Sequence, residues 1–298
     1  MEQRGGREQV RIGVVQPLGF GGGEPATPRD SVYSEHEWPG RRGPELERFC
    51  AALGAAVGCE VVAVEVGDYS DLLDALQAGD VDVSWLPPVV ALRATNRCKT
   101  VPIALPVRSG SAFYSTALFT RPDSPIQSLA DLNGVRAAWV DRHSAAGYLV
   151  IRASLRQRGI DLASAFASEV FLSSHAAVGK AVLEGSADVG AAYVYLDPRR
   201  SRPRLAGWGE APVRMLATAG PIPGDVIAAT IRMPVTKIRA VQRALVTPGS
   251  EEMQAAATAL FAAEGFMEVC SEHLAPIHDL LAHIDDRGDT GLRSSSMR

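Results

Sequence analysis

The chain has 298 residues, of which 46% are hydrophobic and 21% are charged. This composition is typical of globular proteins and excludes intrinsic disorder. The formal net charge is −4 and the basic residues are scattered, which argues against a nucleic-acid-binding face. The length exceeds that of a usual single domain, so we expect two compact units.

The N-terminal segment and the cysteines bear on the compartment. Residues 1–9 lack the apolar region of a secretory signal, and no apolar run approaches the roughly 18 residues of a transmembrane helix. The sequence as written therefore predicts a cytoplasmic protein without membrane insertion. A periplasmic protein whose signal peptide was removed, or whose start was misassigned, would have the same sequence and is the alternative. We interpret the widely spaced cysteines as reduced core residues, with a metal or disulfide role as the alternative. They are Cys50, Cys59, Cys98 and Cys270.

The first part of the chain alternates between strand-like and helix-like segments. Apolar residues at helical spacing predict helices, and β-branched runs predict strands. The predicted elements are a strand over 10–15, a Gly/Pro-rich loop over about 16–42, a helix over 44–57, a strand over 60–66, a short helix over 71–78 and a strand over 81–86 that ends at Pro87-Pro88. This order predicts a parallel sheet with crossover helices.

The same order of elements returns further along. The predicted elements are a strand over 136–140, a helix over 145–158, a strand over 170–172, a helix over 175–184, a strand over 187–194 and a mostly helical remainder over 237–245 and 251–283. The segments 75–83 (Ala-Leu-Gln-Ala-Gly-Asp-Val-Asp-Val) and 181–189 (Ala-Val-Leu-Glu-Gly-Ser-Ala-Asp-Val) are alike. In both, glycine ends a helix and aspartate begins a strand. We interpret this recurring sequence motif as a sign of two similar lobes. The alternative is a single long sheet in which a motif common to α/β proteins occurs twice.

The strongest local signal is the strand-turn-helix segment 139–148 (Trp-Val-Asp-Arg-His-Ser-Ala-Ala-Gly-Tyr). Ser144 is a natural N-cap, and the small Ala145 and Ala146 leave the first backbone N–H groups accessible. A helix N-terminus favours anions because its N–H groups lack intrahelical partners and the helix dipole is positive there. The segment therefore predicts an anion site, and a plain capped helix is the alternative.

Three further residues lie at comparable turns or strand ends. Ser174-His175 opens a second helix after a strand, and parallel sheets bring such turns to one edge. We therefore expect His175 to face the same crevice as Ser144; a solvated surface histidine is the alternative. Tyr69 precedes a helix of the first lobe, and Trp85 ends one of its strands. These aromatic rings either form a ligand wall or close the sheet edge.

Patterns that carry catalysis are missing from the sequence. It contains no GxSxG elbow, no HExxH, no P-loop and no GxGxxG after a strand. His273, His278 and His283 recur every five residues, a spacing that walks around a helix instead of stacking on one face. We therefore expect no catalysis, no cofactor and no metal.

Taken together, these segments resemble the PhnD-like phosphonate/phosphate ABC-transporter substrate-binding proteins, which have the type 2 periplasmic-binding-protein fold. The resemblance spans about residues 10–280. The residues and segments that show the resemblance are Tyr69, 78–88, Tyr114-Ser115, 123–134, 141–148, Ser174-His175 and Ile222-Pro223. Of these, the Ser-x-x-Gly-Tyr turn at 144–148 combined with Ser174-His175 is more specific than the others.

The resemblance implies an α/β fold with two similar lobes, whose mixed, mainly parallel sheets are joined by two crossover strands. We expect lobe one over 10–106 and 221–283, lobe two over 107–220, and flexible tails over 1–9 and 285–298. It further implies that a small oxyanion ligand sits in the cleft between the lobes, which close on it by hinge motion. The ligand contacts implied are Tyr69, Tyr114, Ser144 and His175, with N–H donors from Ala145 and Ala146.

The sequence departs from the family pattern at this turn. The family usually has Ser-Thr-Ser-Gly-Tyr, whereas this chain has Ser-Ala-Ala-Gly-Tyr over 144–148 and therefore lacks two hydroxyl donors. Each hydrogen bond to a charged group is worth on the order of 1.5–3 kcal/mol. Either His143 or Arg142 compensates, or the ligand is less charged than a phosphonate dianion.

Two other functions stay open beside a solute-binding protein. The architecture also resembles cytosolic menaquinone-pathway enzymes of the MqnA/MqnD kind, which act on a small carboxylate. The candidate residues here are donors and aromatics without an evident acid/base pair, which argues against an enzyme. The third possibility is a ligand-sensing regulatory domain. The partner would then be a signalling protein instead of an ABC permease.

Overall fold

The structure is a computed structural model that describes residues 9–15, 42–142, 144–197, 199, 202–275 and 278. These residues divide into two compact units. The first unit comprises residues 9–15, 42–112 and 223–274, and the second unit comprises the described residues within 113–222 and after 274. The first unit is therefore discontinuous in sequence, because residues 113–222 of the second unit lie between two of its segments.

Strands and helices alternate along most of the chain. The strands are β1 (Gln9–Val15), β2 (Glu60–Val66), β3 (Val83–Leu86), β4 (Thr100–Val107), β5 (Phe113–Thr120), β6 (Val135–Trp139), β7 (Phe166–Phe171), β8 (Val189–Leu196), β9 (Pro203–Ala206), β10 (Arg214–Pro223), β11 (Val226–Thr230) and β12 (Gly265–Glu268). The α-helices are α1 (Arg42–Val57), α2 (Tyr69–Ala78), α3 (Pro88–Cys98), α4 (Val150–Gln157), α5 (Leu162–Ala165), α6 (His175–Leu183), α7 (Val235–Val246) and α8 (Glu251–Phe261). A π-helical turn, Ala145–Leu149, runs directly into α4.

The described strands of the first unit form a six-stranded mixed sheet in the order β12-β4-β11-β3-β1-β2. Strands β2 and β3 pair with β1 in parallel, whereas β11 pairs antiparallel with both β3 and β4. Helices α1, α7 and α8 supply much of the core on this sheet, where Leu53, Val241 and Met253 are almost completely buried. Burial of such apolar side chains is the main favourable term in folding.

The described strands of the second unit form a separate sheet in the order β10-β5-β8-β6-β7, with β9 paired to β8. Strands β7 and β8 pair with β6 in parallel, and β5 pairs antiparallel with β8. The turns that follow β6 and β7 therefore lie at the same edge as the C-terminal end of β8. Ligands bind outside this carboxyl edge in open α/β sheets.

The two units repeat one local arrangement, at the positions where the sequence repeats a phrase. Asp82 precedes β3, and its Oδ2 accepts hydrogen bonds from the backbone N and Nε of Arg11 at 2.9 and 3.0 Å. Asp188 precedes β8, and its Oδ2 accepts from the backbone N and Nε of Arg136 at 2.8 and 3.1 Å. In both units the arginine belongs to the neighbouring parallel strand, so the repeated phrase corresponds to a repeated structure.

Several elements differ from those predicted. Within the part of 251–283 that the structure describes, the predicted helical stretch is interrupted, because α8 ends at Phe261, Ala262 takes a left-handed φ of 46°, and β12 then pairs with β4. Pro88 does not simply end a strand; it occupies the first turn of α3, where its missing N–H costs nothing. Strand β7 begins at Phe166, four residues before the predicted strand. Most of the loop predicted over 16–42 and most of both predicted tails lie outside the described residues.

The cysteines are free, but they do not all belong to the core. Cys50 and Cys98 are buried and Cys59 is half-buried, whereas Cys270 is exposed because it lies in the turn after β12. The core interpretation of Cys270 is therefore wrong. Among the described helices, none has the length and apolar content required to cross a bilayer.

Candidate functional site

The first part of the candidate site is the turn between β6 and α4 in the second unit. Ser144 has extended backbone dihedrals, and its Oγ accepts a hydrogen bond from the backbone N of Gly147 at 2.9 Å. This confirms the prediction that Ser144 is an N-cap. The helix begins with a π-helical turn, in which Leu149 N donates to Ser144 O at 2.9 Å. Such wide turns occur frequently at functional sites, and this one was not expected from the sequence.

Gly147 allows this turn to close against the end of β6. A Cβ added to Gly147 would lie 2.3 Å from Val140 Cγ2 and 2.5 Å from Val140 Cβ. The backbone N of Val140 donates to Gly147 O at 3.3 Å, which joins the strand end to the turn. Only a glycine fits at this position without a clash, and this explains why the Ser-x-x-Gly-Tyr segment has glycine at residue 147. His143 of the same segment lies outside the described residues.

The second part of the candidate site is the turn between β7 and α6, and His175 is the first residue of α6. Ser174 is the N-cap of α6, and its Oγ accepts from the backbone N of Ala177 at 3.1 Å. Ser173 has a φ of 65°, which is unfavourable for a residue other than glycine. The backbone N of Ser173 also donates to Val140 O at 2.8 Å. Since Val140 is bonded to both turns, the structure brings the Ser144 turn and the Ser174-His175 turn to one edge, as the sequence predicted.

The third part is a cluster of aromatic rings at the same edge. The His175 ring lies edge-on to Tyr193 with centroids 4.9 Å apart, and Tyr193 is 6.3 Å from Tyr195. Tyr195 in turn lies 6.0 Å from Tyr114, near the start of β5. The cluster therefore connects two predicted site residues, His175 and Tyr114, through two tyrosines that were not predicted from the sequence. Their alternate spacing at the end of a predicted strand was the signal that could have identified them.

Gly207 leaves room for the imidazole of this cluster. A Cβ added to Gly207 would lie 2.7 Å from His175 Cβ and 3.0 Å from its Cγ. His175 is 8% exposed, so it is a buried side chain. The alternative of a solvated surface histidine is therefore wrong.

An arginine-carboxylate pair supports the Ser144 turn from the helix side. Arg152 Nη1 donates to Glu169 Oε2, and the indole Nε1 of Trp139 donates to the same oxygen at 2.6 Å. The Arg152 guanidinium also lies over the Tyr148 ring, 4.8 Å from its centroid. Cation–π attraction favours this arrangement, so Tyr148 connects the π-helical turn to the Arg152–Glu169 pair.

One ion pair with shifted pKa values lies at the opposite edge of the second sheet. The Arg136 guanidinium bonded to Asp188 lowers the pKa of that carboxyl group, and the same hydrogen bond raises the pKa of Arg136. Both groups precede or begin strands whose other ends carry the site. This ion pair therefore joins β6 to the start of β8 at the sheet edge opposite the candidate site.

In the first unit, Tyr69 and Trp85 lie at or near the carboxyl ends of the parallel strands β2 and β3. Tyr69 is the first residue of α2, which follows β2 and is capped by Asp68. Trp85 belongs to β3, and its half-buried ring packs edge-on against Phe261 with centroids 4.9 Å apart. This contact makes Trp85 part of the core as well as of the sheet edge. Their predicted role as ligand contacts stays a prediction.

Comparison with known proteins agrees with this architecture. Residues 44–274 match the family of ABC-transporter phosphonate periplasmic substrate-binding proteins. The chain belongs to this family. The PhnD-like resemblance is thereby confirmed, and the family is one of periplasmic binding proteins. No three metal-binding side chains cluster among the described residues of this member.

Individual relatives of the family are distant. The chain is 27% identical over 152 residues to the phosphate-import protein PhnD of Mycolicibacterium smegmatis, a match that covers 47% of each protein. The match thus spans about half the length of this curated relative.

Two solved structures show the same fold. XAC2383 from Xanthomonas citri, bound to ATP, has a TM-score of 0.65 at 20% identity and covers 95% of this chain and 98% of its own. PhnD1 from Prochlorococcus marinus, in complex with methylphosphonate, has a TM-score of 0.58 at 15% identity and covers 93% and 98%. The predicted two-lobed, periplasmic-binding-protein-like fold with mixed sheets is therefore confirmed. The expectation that these sheets are mainly parallel is wrong, because β4, β5, β9, β11 and β12 pair antiparallel with their neighbours in the described sheets.

Proposed function

We propose that this member of the phosphonate-binding family binds a small ligand through a phosphoryl-type oxyanion, such as a phosphonate, phosphite or phosphate. The observation that carries the proposal is the convergence of the Ser144 turn and His175 at the carboxyl edge of the second sheet. Family membership supports the ligand class, since methylphosphonate and ATP, which two structural relatives bind, both carry phosphorus-bound oxyanions.

The Ser144 turn would hold the oxyanion through backbone donors. We propose that the N–H groups of Ala145 and Ala146 donate to it, because they open the helical segment that continues to Gln157. The Ser144 hydroxyl accepts from Gly147 N, and a hydroxyl that accepts one hydrogen bond can also donate one. Three donors at one positive helix end suit a single anionic group.

The aromatic cluster would contact the remainder of the ligand. Tyr114, Tyr193 and Tyr195 present apolar ring faces and phenolic groups beside His175. Tyr69 and Trp85, at the carboxyl ends of strands in the first unit, stay candidate ligand-binding residues. His143 stays a candidate that would offset the two hydroxyl donors replaced by Ala145 and Ala146.

We further propose that the protein delivers its ligand to an ABC permease and catalyses no reaction. Family membership supports this role, because the family consists of transporter substrate-binding proteins. Sensing through a signalling partner would use the same ligand site. Turnover of a small carboxylate metabolite, followed by chromatography, would instead indicate an enzyme on this fold.

Calorimetric titration with phosphate, phosphite, methylphosphonate, a sulfonate and a small carboxylate tests the ligand class. A ligand at about 100 times its Kd should also stabilise the protein by roughly 2.7 kcal/mol. We expect the phosphorus oxyanions to bind most tightly. Tighter binding of the carboxylate would contradict the proposed class.

Two matched serine variants test the location of the site. Ser144→Ala and Ser250→Ala each remove an N-cap hydroxyl, because Ser250 Oγ accepts from Met253 N at 3.1 Å at the start of α8. Each should cost about 1 kcal/mol of stability. Only Ser144→Ala should weaken binding, by about tenfold or more, since a hydrogen bond to a charged group is worth about 1.5–3 kcal/mol. Equal affinities would place the anion elsewhere.

A further inference from the structure

Thr116 lies behind the Ser144 turn and contacts its backbone. It belongs to β5, is completely buried, and its Oγ1 donates a hydrogen bond to Ala146 O at 2.6 Å. In the sheet it is paired directly with Tyr193 of the aromatic cluster. A single buried hydroxyl on β5 therefore connects the strand that carries Tyr114 to the turn proposed to bind the oxyanion.

The hydrogen bond restrains one particular peptide group, the one between Ala146 and Gly147. Its carbonyl oxygen accepts from Thr116 Oγ1, and its N–H donates to Ser144 Oγ at 2.9 Å. Both polar atoms of this peptide are thus held by side chains. A peptide group is planar, so restraining its two ends determines its orientation.

The same peptide lies inside the π-helical turn. Leu149 N donates to Ser144 O and Val150 N donates to Ala145 O, each five residues back instead of the four of an α-helix. This wide turn departs from the regular helix, so it needs contacts that maintain it. The carbonyl groups of Ser144 and Ala145 accept these two wide-turn hydrogen bonds, and the next carbonyl along the chain, that of Ala146, accepts from Thr116.

We propose that Thr116 is a positioning residue that maintains the wide turn and thereby aims the N–H groups of Ala145 and Ala146 at the oxyanion. The proposal rests on the proposed function for its ligand. Thr116 itself does not touch the ligand. Loss of its hydroxyl would let the Ala146–Gly147 peptide rotate, and the donors immediately before it would move with it.

Thr120 provides the matched control. It lies four residues further along β5, is almost completely buried, and its Oγ1 donates to Asp188 O at 2.7 Å. Thr116→Val and Thr120→Val therefore remove equivalent hydrogen bonds from one strand, at the site edge and at the opposite edge of the sheet. A merely structural role predicts similar losses of stability and unchanged affinity for both variants.

The affinity of each variant is measured by calorimetric titration with methylphosphonate and inorganic phosphate. We expect Thr116→Val to raise Kd at least tenfold, Thr120→Val to leave it within about twofold, and Thr116→Ser to restore most of the affinity; tenfold corresponds to about 1.4 kcal/mol. Equal affinities of the two valine variants would overturn the proposal. If Thr116→Val fails to fold, the pair Thr116→Ser and Thr116→Ala gives the same comparison, because it differs by one hydroxyl.

A second measurement separates this inference from the proposed function. If the wild-type protein binds neither probe, the proposed function fails, but the turn can still be examined by amide hydrogen exchange. Thr116→Val should accelerate exchange of the Gly147 and Leu149 amides relative to wild type, whereas Thr120→Val should not. Unchanged protection of these amides in Thr116→Val would overturn the positioning role whatever the ligand.

Discussion

Replacement of Gly147 by alanine should damage both the stability of the second unit and its ligand site. The added Cβ would lie 2.3 Å from Val140 Cγ2, 2.5 Å from Val140 Cβ and 2.7 Å from Ser144 Oγ. Non-bonded carbon atoms pack at about 3.5–4.0 Å, so the contact with Val140 is too short by about 1 Å. Rotation of the valine side chain cannot relieve it, because its Cβ is also too close. The backbone of the turn must therefore move.

The magnitude follows from the cost of overpacking. Forcing an extra methyl group into a well-packed site costs about 1–3 kcal/mol. For proteins of this size, 1 kcal/mol corresponds to roughly 2–4 °C in Tm. We therefore expect a fall in Tm of several degrees for Gly147→Ala. Because the clash also involves Ser144 Oγ, the cap hydrogen bond at 2.9 Å should be lost and ligand affinity should fall by about tenfold or more.

The matched control is Gly43→Ala in α1. A Cβ at Gly43 would meet no atom within 4 Å, and the residue lies in the first turn of a helix. Alanine there should be neutral or should stabilise the protein by about 0.5–1 kcal/mol. Thermal denaturation and calorimetric titration of both variants provide the assay. A Gly147→Ala protein with the Tm and affinity of the wild type would refute the steric reasoning.

Three other predictions concern titratable groups. Asp188→Asn should remove about 1 kcal/mol of stability at neutral pH, after allowance for solvent screening of the partly exposed ion pair. Because the pKa of Asp188 is lowered in the folded protein, this contribution is present above the ordinary carboxyl pKa and disappears as the pH falls through the folded-state pKa. Urea denaturation of both proteins at neutral pH and at successively lower pH below about pH 4 measures the contribution. A stability difference that does not shrink as the pH falls would contradict the ion-pair assignment. Burial raises the pKa of the Cys50 thiol to about 11, so little of this thiol is in its reactive thiolate form at about pH 8. Iodoacetamide at this pH should therefore label the exposed Cys270 much faster than Cys50, and peptide mass spectrometry measures both rates. Equal labelling of the two cysteines would mean that the core opens readily. If His175 donates to the anion as an imidazolium, the anion raises the pKa of His175, and ligand affinity should decrease as the pH rises above the pKa of the bound form. The affinity for a sulfonate, whose own charge is constant, is measured between about pH 5.5 and about pH 8.5. An affinity that does not change over this range would assign His175 a neutral role.

Local chemistry was sufficient to predict much of the fold. Alternating apolar patterns and the glycines after α2 and α6 indicated the strand-helix order, because a strand that returns in parallel requires a crossover helix. The repeated phrase around Asp82 and Asp188 indicated two similar sheets, and the Arg–Asp arrangement is indeed repeated. The Ser144 N-cap was equally predictable, since capping depends on residues only three positions apart.

Long-range contacts decided the remaining features, which no local pattern could have revealed. Within the π-helical turn, the carbonyl oxygen of Ala146 accepts a hydrogen bond from Thr116, which lies thirty residues away in sequence. Strand β12 forms because β4 offers it a pairing edge, although it begins only four residues after the last residue of α8. Tyr193 and Tyr195 become site candidates only because β8 ends beside the turns after β6 and β7. Hydrogen bonds and packing between residues distant in the chain depend on the tertiary fold, whereas caps, turns and periodicity are properties of a few neighbouring residues.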